Sequence, residues 1–250
     1  KPGRSNTGSA RRRVLGAASR ILSGKALSYT TILWDLDGTI IDSSPGIYAS
    51  FIHTFETVGL PVPSIAQMRE FIGPPLRDTF ERIADGDQDL TNRLVEVYRE
   101  VYLRGGGALN ATAFPGVLEL IAESKRQGRF NSMATSKGFS GVKIIGDQLG
   151  FLDLFDVLGT ASNDGTRVAK ADVITYALAE LELLNADLSR VVLVGDRIHD
   201  IEGAREHGIE VVLVKWGSGD ASEWAQADAV AETPAELARL LGVNLETGAE

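Results

Sequence analysis

Two aspartates stand two positions apart, Asp35 and Asp37, directly after a short apolar run at residues 31–34 and before a glycine. If that run is a strand, side chains at positions i and i+2 point to the same face, so both carboxylates face one crevice. Ligands of open α/β sheets bind beyond the carboxyl ends of the strands. Gly38 permits the sharp turn and close backbone approach that such a site needs. The pair therefore predicts a place for acid–base or nucleophilic carboxylate chemistry.

A second pair of carboxylates, Asp196 and Asp200, follows the apolar run at 191–195. These two aspartates are four positions apart, which is about one turn of a helix. Four carboxylates that converge on one site repel each other and raise each other's pKa values. A hard divalent cation relieves this repulsion, and oxygen ligands favour Mg²⁺. The two pairs together therefore predict a magnesium site.

Hydroxyl and ammonium groups that suit an anion follow two further strand candidates. The run that begins at Phe130 ends in ATSK at 134–137, which places Thr135 and Ser136 at the same sheet edge. Lys170 stands at the entrance of a helical stretch, where acidic residues are normally preferred. A lysine in that position indicates that an anion holds it.

The elements that position these residues alternate along the chain. Strands are predicted at 31–34, 130–135, 157–160, 191–194 and 211–214, with a weak sixth at 229–230, and helices at 116–127, 171–184 and 201–207. Continuous apolar strands that alternate with helices indicate a parallel sheet covered on both faces. The expected fold class is α/β, with a Rossmann-like parallel-sheet core.

Residues 45–112 break this alternation because they contain helical patterns only. Helices are predicted there at 47–58, 65–71, 76–83 and 90–103, separated by prolines and by glycines at 105–107. Such a stretch is too long for an ordinary crossover between parallel strands. It predicts an inserted all-helical cap at 45–112 within a core formed by residues 29–44 and 113–250.

Basic residues are concentrated at the start of the chain, where residues 1–34 hold seven Lys or Arg residues and no acidic residue. We expect residues 1–28 to form a basic flexible leader, with a transit peptide or a nucleic-acid arm as the alternatives. Residues 35–250 hold 18 basic and 34 acidic residues, a net charge of −16. Because such a body repels phosphates of nucleic acids, we expect no nucleic acid partner.

The complete lack of cysteine excludes thiol catalysis and Cys-ligated zinc or iron–sulfur sites. It fits a reducing compartment, and we expect a cytoplasmic protein. No apolar run approaches the ~18 residues that a membrane helix requires, so no membrane partner is expected.

Four motifs occur in order: DLDGT at 35–39, ATSK at 134–137, Lys170, and GDRIHD at 195–200. With the helical insertion between the first two, this order resembles the haloacid dehalogenase superfamily of aspartyl-phosphate hydrolases, in the helical-cap branch that includes the phosphoglycolate phosphatases. The stretch DGTRVAK at 164–170 is similar to members described as 5′-nucleotidase-like. The resemblance covers residues 30–240 and departs at Gly138, where relatives often have proline. It implies a Mg²⁺-dependent phosphatase for a small phosphomonoester, phosphoglycolate-like or a 5′-nucleotide.

The resemblance also implies roles for individual residues. Asp35 corresponds to the nucleophile that forms an aspartyl phosphate, and Asp37 to the general acid and base. Thr135, Ser136 and Lys170 correspond to the residues that bind the phosphoryl group. The expected partner is thus a small-molecule phosphate ester, bound by a monomer or homodimer.

The metal site follows from the same resemblance. Asp196 corresponds to a metal ligand, joined by the carboxylate of Asp35 and the main-chain carbonyl of Asp37. Asp200 would act on the metal through water or through another ligand, although it could also cap the helix predicted near residue 201.

Selectivity for the leaving group must come from outside these motifs. Arg77, after a proline-rich loop in the cap, and Arg167, in the core, are the candidates, because arginine offers a fork for a carboxylate or a second phosphate. For Arg77 a solvated position on a helix is an equal alternative.

Three other activities remain open from the sequence. A phosphomutase of the same fold would return the phosphoryl group to a sugar phosphate. A dehalogenase shares the Asp nucleophile but needs neither a metal nor Asp37. A phospho-receiver signalling module uses Asp, Thr and Lys around Mg²⁺, but it is about half this length and has no cap.

Overall fold

The computed structural model describes residues 29–162 and 165–245 of the chain. The expected leader at 1–28 and Asp164 of the DGTRVAK stretch therefore lie outside the described residues. Within the described part, no helix is both long enough and apolar enough to cross a membrane.

The core is a six-stranded parallel sheet in the order β5-β4-β1-β6-β7-β8. Its strands are β1 (Thr31–Trp34), β4 (Phe130–Gly138), β5 (Val157–Ala161), β6 (Val191–Gly195), β7 (Glu210–Val214) and β8 (Ala229–Ala231). The predicted parallel α/β sheet is confirmed, including its weak sixth strand. β1 lies in the interior of the sheet between β4 and β6, so residues that follow these three strands meet at one edge.

Successive residues of the central strands alternate between two apolar clusters, as expected for a sheet buried on both faces. In β1, Ile32 and Trp34 belong to one cluster and Leu33 to the other, and all three are fully buried. Leu193 of β6 joins Leu33, whereas the valines on either side of it join the opposite cluster. This alternation fixes the register of each strand against its neighbours. It therefore also determines which side of the sheet the first residues beyond each strand end face.

Helices cover both faces of this sheet. They are α5 (Val117–Arg126), α6 (Phe139–Leu149), α7 (Lys170–Leu183), α8 (Ile198–Glu206), α9 (Ala221–Trp224) and α10 (Pro234–Leu241). Buried residues of α7 and α8 share the cluster of Leu33, whereas those of α5 and α10 share the cluster of Trp34. α8 begins at Ile198, three residues before the predicted start, which places Asp200 within its first turn.

Between β1 and β4 the chain forms helices that pack around an aromatic cluster. They are α1 (Ser44–Val58), α2 (Ile65–Arg69), α3 (Leu76–Ile83) and α4 (Gln88–Arg99), followed by a π-helix at Glu100–Arg104 and a 3₁₀ helix at Gly107–Asn110. The rings of Phe51, Phe80 and Tyr98 contact one another with centroids 4.8–5.9 Å apart. The single helix predicted over 90–103 is thus wrong at its end, where the hydrogen bonding changes to the π type.

A two-stranded antiparallel sheet that the sequence did not predict joins the two ends of this helical segment. β2 (Ile41–Asp42) pairs with β3 (Thr112–Ala113). These strands have two residues each, too few for a periodic pattern to appear in the sequence.

Candidate active site

Three parallel strands place their carboxyl ends next to one another and deliver the predicted residues to one edge. Asp35 follows β1, and its backbone N–H donates to the carbonyl of Val194 in β6 at 2.9 Å. Asp196 follows β6, and the ATSK residues lie at the end of β4. Adjacent parallel strands thus bring together residues that are more than 150 positions apart in sequence.

The centre of the site is a buried cluster of three carboxylates and one ammonium group. Oxygens of Asp35, Asp196 and Asp200 all lie within 4.8 Å of one another. The Nζ atom of Lys170 lies 2.6 Å from Asp35 Oδ1 and 2.8 Å from Asp200 Oδ1. It also donates to the carbonyl of Ala134 at 2.8 Å. When all three aspartates are ionised, two negative charges remain unbalanced.

Burial and mutual repulsion perturb the ionisation of this cluster. Burial raises the pKa of Asp35 to about 7 although Lys170 opposes the change. Burial, followed by the charges of Asp200 and Asp35, raises the pKa of Asp196 well above its ordinary range. Burial alone would lower the pKa of Lys170, but the charges of Asp200 and Asp35 raise it above its ordinary value. Lys170 therefore stays protonated, and the carboxylates lack enough positive charge.

The donor set fits a hard divalent cation. Asp196 Oδ1 is buried and has no hydrogen-bond partner, while its Oδ2 accepts the N–H of Ser218 at 2.6 Å. Gly38 packs against the same carboxylate with φ +83°, and a Cβ there would lie 2.2 Å from Asp196 Oδ2. Buried carboxylate oxygens with excess negative charge are the ligands that Mg²⁺ prefers. Asp35 and Asp196 have the chemistry to hold it.

Asp200 joins this cluster and also supports its loop. Its Oδ2 accepts the backbone N–H groups of Asp196 and Arg197, each at 3.0 Å. Its Oδ1 faces Lys170. Asp200 therefore caps the first turn of α8 and contributes charge to the site.

The carboxylate of Asp37 is held apart from this cluster by other partners. Ser43 Oγ donates to Asp37 Oδ1 at 2.5 Å, and Lys137 Nζ lies 3.1 Å from Asp37 Oδ2. Sequence reasoning did not assign a role to Ser43 or to Lys137. Lys137 is the fourth residue of ATSK, so its position in that motif was the signal that could have identified it.

The hydroxyl residues of ATSK lie at the end of β4, beside Lys170. Thr135 is buried, and its Oγ1 accepts the backbone N–H of Lys137 at 3.1 Å. Ser136 is half-buried. β4 continues to Gly138, past its predicted end, and its register with β5 shifts after Thr135. The shift marks where regular pairing stops, next to the carbonyl of Ala134 that Lys170 binds.

The structure does not bring the two predicted selectivity arginines into contact with the carboxylate cluster. Arg77 lies on the surface of α3, where its guanidinium contacts Glu81, Gln88 and Asn92. These contacts place Arg77 at a partly exposed position on the surface.

Arg167 lies at the free edge of the sheet. Its Nε donates to the carbonyl of Thr160 in β5 at 2.7 Å, and its guanidinium lies 3.8 Å from the ring centroid of Tyr176. Both arginines are thus engaged by neighbours outside the cluster.

A crevice of about 240 Å³ opens beside Gly38, between the sheet edge and the helical segment. Trp216 lines it from the sheet side, held by a hydrogen bond from its indole N–H to the carbonyl of Thr39 at 3.0 Å. Tyr48 and Arg69 line it from the helical side. Arg69 ends the short helix α2, and no motif in the sequence singled it out.

Arg197 joins the sheet edge to the helical segment directly. Its Nη1 donates to the carbonyl of Ile72 at 2.7 Å, and its Nε lies 3.2 Å from Glu223 Oε2. Ile72 also lines the crevice. The residue that follows Asp196 therefore fixes one wall of the crevice relative to the carboxylate cluster.

Comparison with known proteins agrees with this geometry. Residues 32–214 match the family described as haloacid dehalogenase-like hydrolase, and the chain belongs to this family. It is a hydrolase whose fold is of the α/β class, with phosphatases among its relatives.

Individual relatives differ in what they are named for. The chain is 37% identical to the tyrosine-protein kinase PtkA of Mycobacterium tuberculosis, over 85% of this chain and 72% of that protein. It is 33% identical to a 5′-nucleotidase of Pseudomonas aeruginosa, over 79% of this chain and 88% of that protein. A haloacid dehalogenase-like hydrolase structure from Streptococcus pneumoniae superposes with a TM-score of 0.73 at 32% identity, covering 84% of this chain and 96% of that one.

Proposed function

We propose that this protein is a Mg²⁺-dependent phosphatase that hydrolyses a small phosphomonoester through an aspartyl phosphate at Asp35. The observation that supports this most is the buried cluster in which Asp35 is paired with Lys170 beside the unsatisfied Oδ1 of Asp196. A buried carboxylate with one oxygen fixed by an ammonium group has a second oxygen with which it can attack phosphorus in line.

The chain's own residues supply the two proton transfers of the reaction. A carboxylate oxygen of Asp35 attacks phosphorus, and the bond between phosphorus and the leaving oxygen breaks. Asp37 gives its proton to that oxygen and later takes one from the water that attacks the aspartyl phosphate. Inorganic phosphate leaves and Asp35 is restored. Lys170 favours the ionised nucleophile, since its ammonium group contacts Asp35 Oδ1.

Asp35, the main-chain carbonyl of Asp37 and Asp196 are proposed to hold Mg²⁺. The bound cation would neutralise charge on the phosphoryl oxygens. Asp200 keeps the loop of Asp196 in place through the N–H groups that it accepts. Because phosphoryl transfer depends mainly on positioning and charge neutralisation, this arrangement provides what the reaction requires.

Binding of the phosphoryl group is assigned to the end of β4 and the start of α7. Thr135 and Ser136 offer hydroxyl and backbone N–H groups, and Lys170 offers its ammonium group. Lys170 already contacts the carbonyl of Ala134, which places it between the nucleophile and the ATSK residues.

Recognition of the leaving group is assigned to the cap at 45–112, which forms the other wall of the crevice. Arg69 is the cap arginine that lines this crevice, and we add it to Arg77 and Arg167 as a candidate for selectivity. Tyr48 and Trp216 give the crevice aromatic walls. A phosphoglycolate-like ester or a 5′-nucleotide is the substrate class that we propose.

The protein kinase name of one relative supports a second candidate function, the transfer of the phosphoryl group to a hydroxyl. The same aspartyl phosphate at Asp35 serves both outcomes, because it can pass phosphorus to water or to an alcohol. A phosphomutase would differ from a kinase in the donor, a sugar phosphate in place of ATP, and in the alcohol that accepts the group.

One screen separates these functions. Phosphate release is measured over phosphoglycolate, nucleoside monophosphates, sugar phosphates and p-nitrophenyl phosphate, with Mg²⁺ or with chelator. Parallel reactions contain ATP and a tyrosine-containing peptide. We expect Mg²⁺-dependent phosphate release that Asp35→Asn abolishes. Transfer to the peptide without phosphate release would favour the kinase, and full activity in chelator would contradict the metal site.

We also propose a cytoplasmic protein that acts as a monomer or homodimer and takes neither nucleic acid nor membrane as a partner. The absence of cysteine and the acidic composition of residues 35–250 support this. Light scattering of the purified chain determines the oligomeric state.

A further inference from the structure

Both chain segments that connect the core to the cap reach the carboxylate of Asp37. Ser43 directly precedes α1, the first helix after the core, and its hydroxyl donates to Asp37 Oδ1 at 2.5 Å. Tyr102 lies in the π-helix Glu100–Arg104, on the segment that returns to the core. It reaches Asp37 through one intermediate residue, Lys137.

Lys137 is fixed between these partners. Its Nζ lies 3.1 Å from Asp37 Oδ2 and donates to Tyr102 Oη at 2.8 Å. The same ammonium group lies 4.6 Å from the centroid of the Tyr102 ring. Its stem packs against α6, where a Cβ added to Gly141 would lie 3.2 Å from Lys137 Cδ. With 10% of its side chain exposed, Lys137 has little freedom to reach other partners.

The return segment is itself firmly packed. The ring of Tyr102 stacks on that of Tyr98 at 5.4 Å and 18°, and Tyr98 contacts Phe51 of α1. π-Helical turns inside helices occur frequently at functional sites. The ring of Tyr102 is therefore packed with the cap helices, whereas Asp37 and Lys137 belong to the core.

We propose that Lys137 is a positioning residue that links the Asp37 carboxylate to the cap through Tyr102. When the cap is packed on the core, this link holds the Asp37 side chain in the position from which it protonates the leaving group. This inference rests on the proposed phosphatase function. Ser43, on the segment that enters the cap, binds one oxygen of Asp37. Lys137 binds the other oxygen and is itself bound by Tyr102 on the segment that returns to the core. A cap displaced from the core takes the phenol away from Lys137 and leaves the ammonium group free to change its position.

The test compares leaving groups that differ in their need for a proton. An alkyl phosphate such as glycerol phosphate requires protonation of its leaving oxygen, whereas p-nitrophenolate leaves without it. The ratio kcat/KM reports the steps up to departure of the leaving group, so it isolates this proton transfer from the later hydrolysis. Wild type and each variant are assayed with both substrates at saturating Mg²⁺.

Removal of the link should impair the alkyl substrate selectively. Lys137→Met should lower kcat/KM for glycerol phosphate about tenfold more than for p-nitrophenyl phosphate, because general acid catalysis contributes about 100-fold or more. Lys137→Arg should restore much of the loss. Tyr102→Phe removes only the phenol oxygen and should lower kcat/KM for glycerol phosphate about threefold more than for p-nitrophenyl phosphate.

Tyr98→Phe is the matched control, since it removes the hydroxyl of the neighbouring ring in the same stack. It should leave kcat/KM for glycerol phosphate unchanged relative to kcat/KM for p-nitrophenyl phosphate. Tyr102→Phe decides the question if Lys137→Met does not fold, which circular dichroism checks. Equal losses of kcat/KM on both substrates would overturn the inference. So would a Tyr102→Phe variant that prefers one substrate over the other to the same degree as wild type. Asp35→Asn distinguishes failure of this inference from failure of the proposed function. Phosphate release that survives Asp35→Asn contradicts the proposed function itself.

Discussion

The replacement of Asp35 by asparagine tests the electrostatics of the site independently of turnover. In metal-free protein, burial raises the pKa of Asp35 from 3.8 to about 7. Between these pH values the folded protein keeps a proton on Asp35 that the unfolded chain has released. Stability therefore falls as pH rises through this range, and the penalty is complete only above pH 7.

The size of the effect follows from the difference between the folded and unfolded pKa values, which corresponds to about 4 kcal/mol. Asparagine has no proton to lose. The free energy of unfolding of Asp35→Asn should thus be close to that of wild type near pH 4 and exceed it by about 4 kcal/mol near pH 8. Asp196 lies in the same cluster and its pKa is also raised. Its ionisation therefore lowers the stability of both wild type and Asp35→Asn as pH rises.

Urea unfolding followed by circular dichroism, with chelator present, measures this difference across the pH range. Asp172→Asn, at an exposed position in the first turn of α7, is the control and should change stability by no more than about 0.5 kcal/mol at any pH. Mg²⁺ should then stabilise wild type more than Asp35→Asn. Parallel stability curves for wild type and Asp35→Asn would refute the reasoning.

Three further outcomes are expected. Lys170→Met should abolish phosphate release and destabilise the metal-free protein by about 3 kcal/mol at neutral pH, measured by urea unfolding, because buried carboxylates lose their cation; unchanged stability would contradict the cluster's charge balance. Arg69→Ala should lower kcat/KM for the best substrate of the screen more than for p-nitrophenyl phosphate, and Arg77→Ala should have a smaller effect because its guanidinium contacts surface neighbours; the reverse pattern would make Arg77 the main selectivity residue. Arg197→Ala should release the loop at Ile72, so limited proteolysis within residues 61–75 should become several-fold faster; an unchanged cleavage rate would show that the contact does not hold the loop.

The sheet and the edge that carries the motif residues could be predicted from the sequence because the signals there are local. Each central strand is a continuous apolar run, and the motif residues follow it directly. Once the strands are parallel, Asp35 and Asp196 must meet at one edge, as the pairing of β1 with β6 shows. The alternation of apolar clusters across β1 gives the same result from packing alone.

The position of Lys137 in ATSK was a signal that it belongs to the site, but its pairing with Asp37 and with Tyr102 could not be predicted in the same way. Lys137 meets Asp37 only because β1 and β4 are neighbours and β4 runs on to Gly138, and its second partner, Tyr102, comes from the π-helix. A helical pattern over residues 90–103 contains no sign of that change in hydrogen bonding. Tertiary contacts, not local periodicity, determine these residues.

The crevice shows the same limit for selectivity. A proline-rich loop drew attention to Arg77, whose guanidinium is bound on the surface by neighbouring side chains. Arg69, at the end of a five-residue helix, lines the crevice instead. Which face of so short a helix meets the sheet depends on packing of the whole helical segment between β1 and β4.

The central claim is that Asp35 becomes covalently phosphorylated, and trapping that intermediate tests it most directly. Protein is mixed with the best substrate of the screen and Mg²⁺ and treated with borohydride, which reduces an aspartyl phosphate to homoserine. Peptide mass spectrometry then locates the modified residue. We predict homoserine at position 35 in wild type and none in Asp35→Asn. Turnover without any modification at position 35, or modification at another aspartate, would contradict the account.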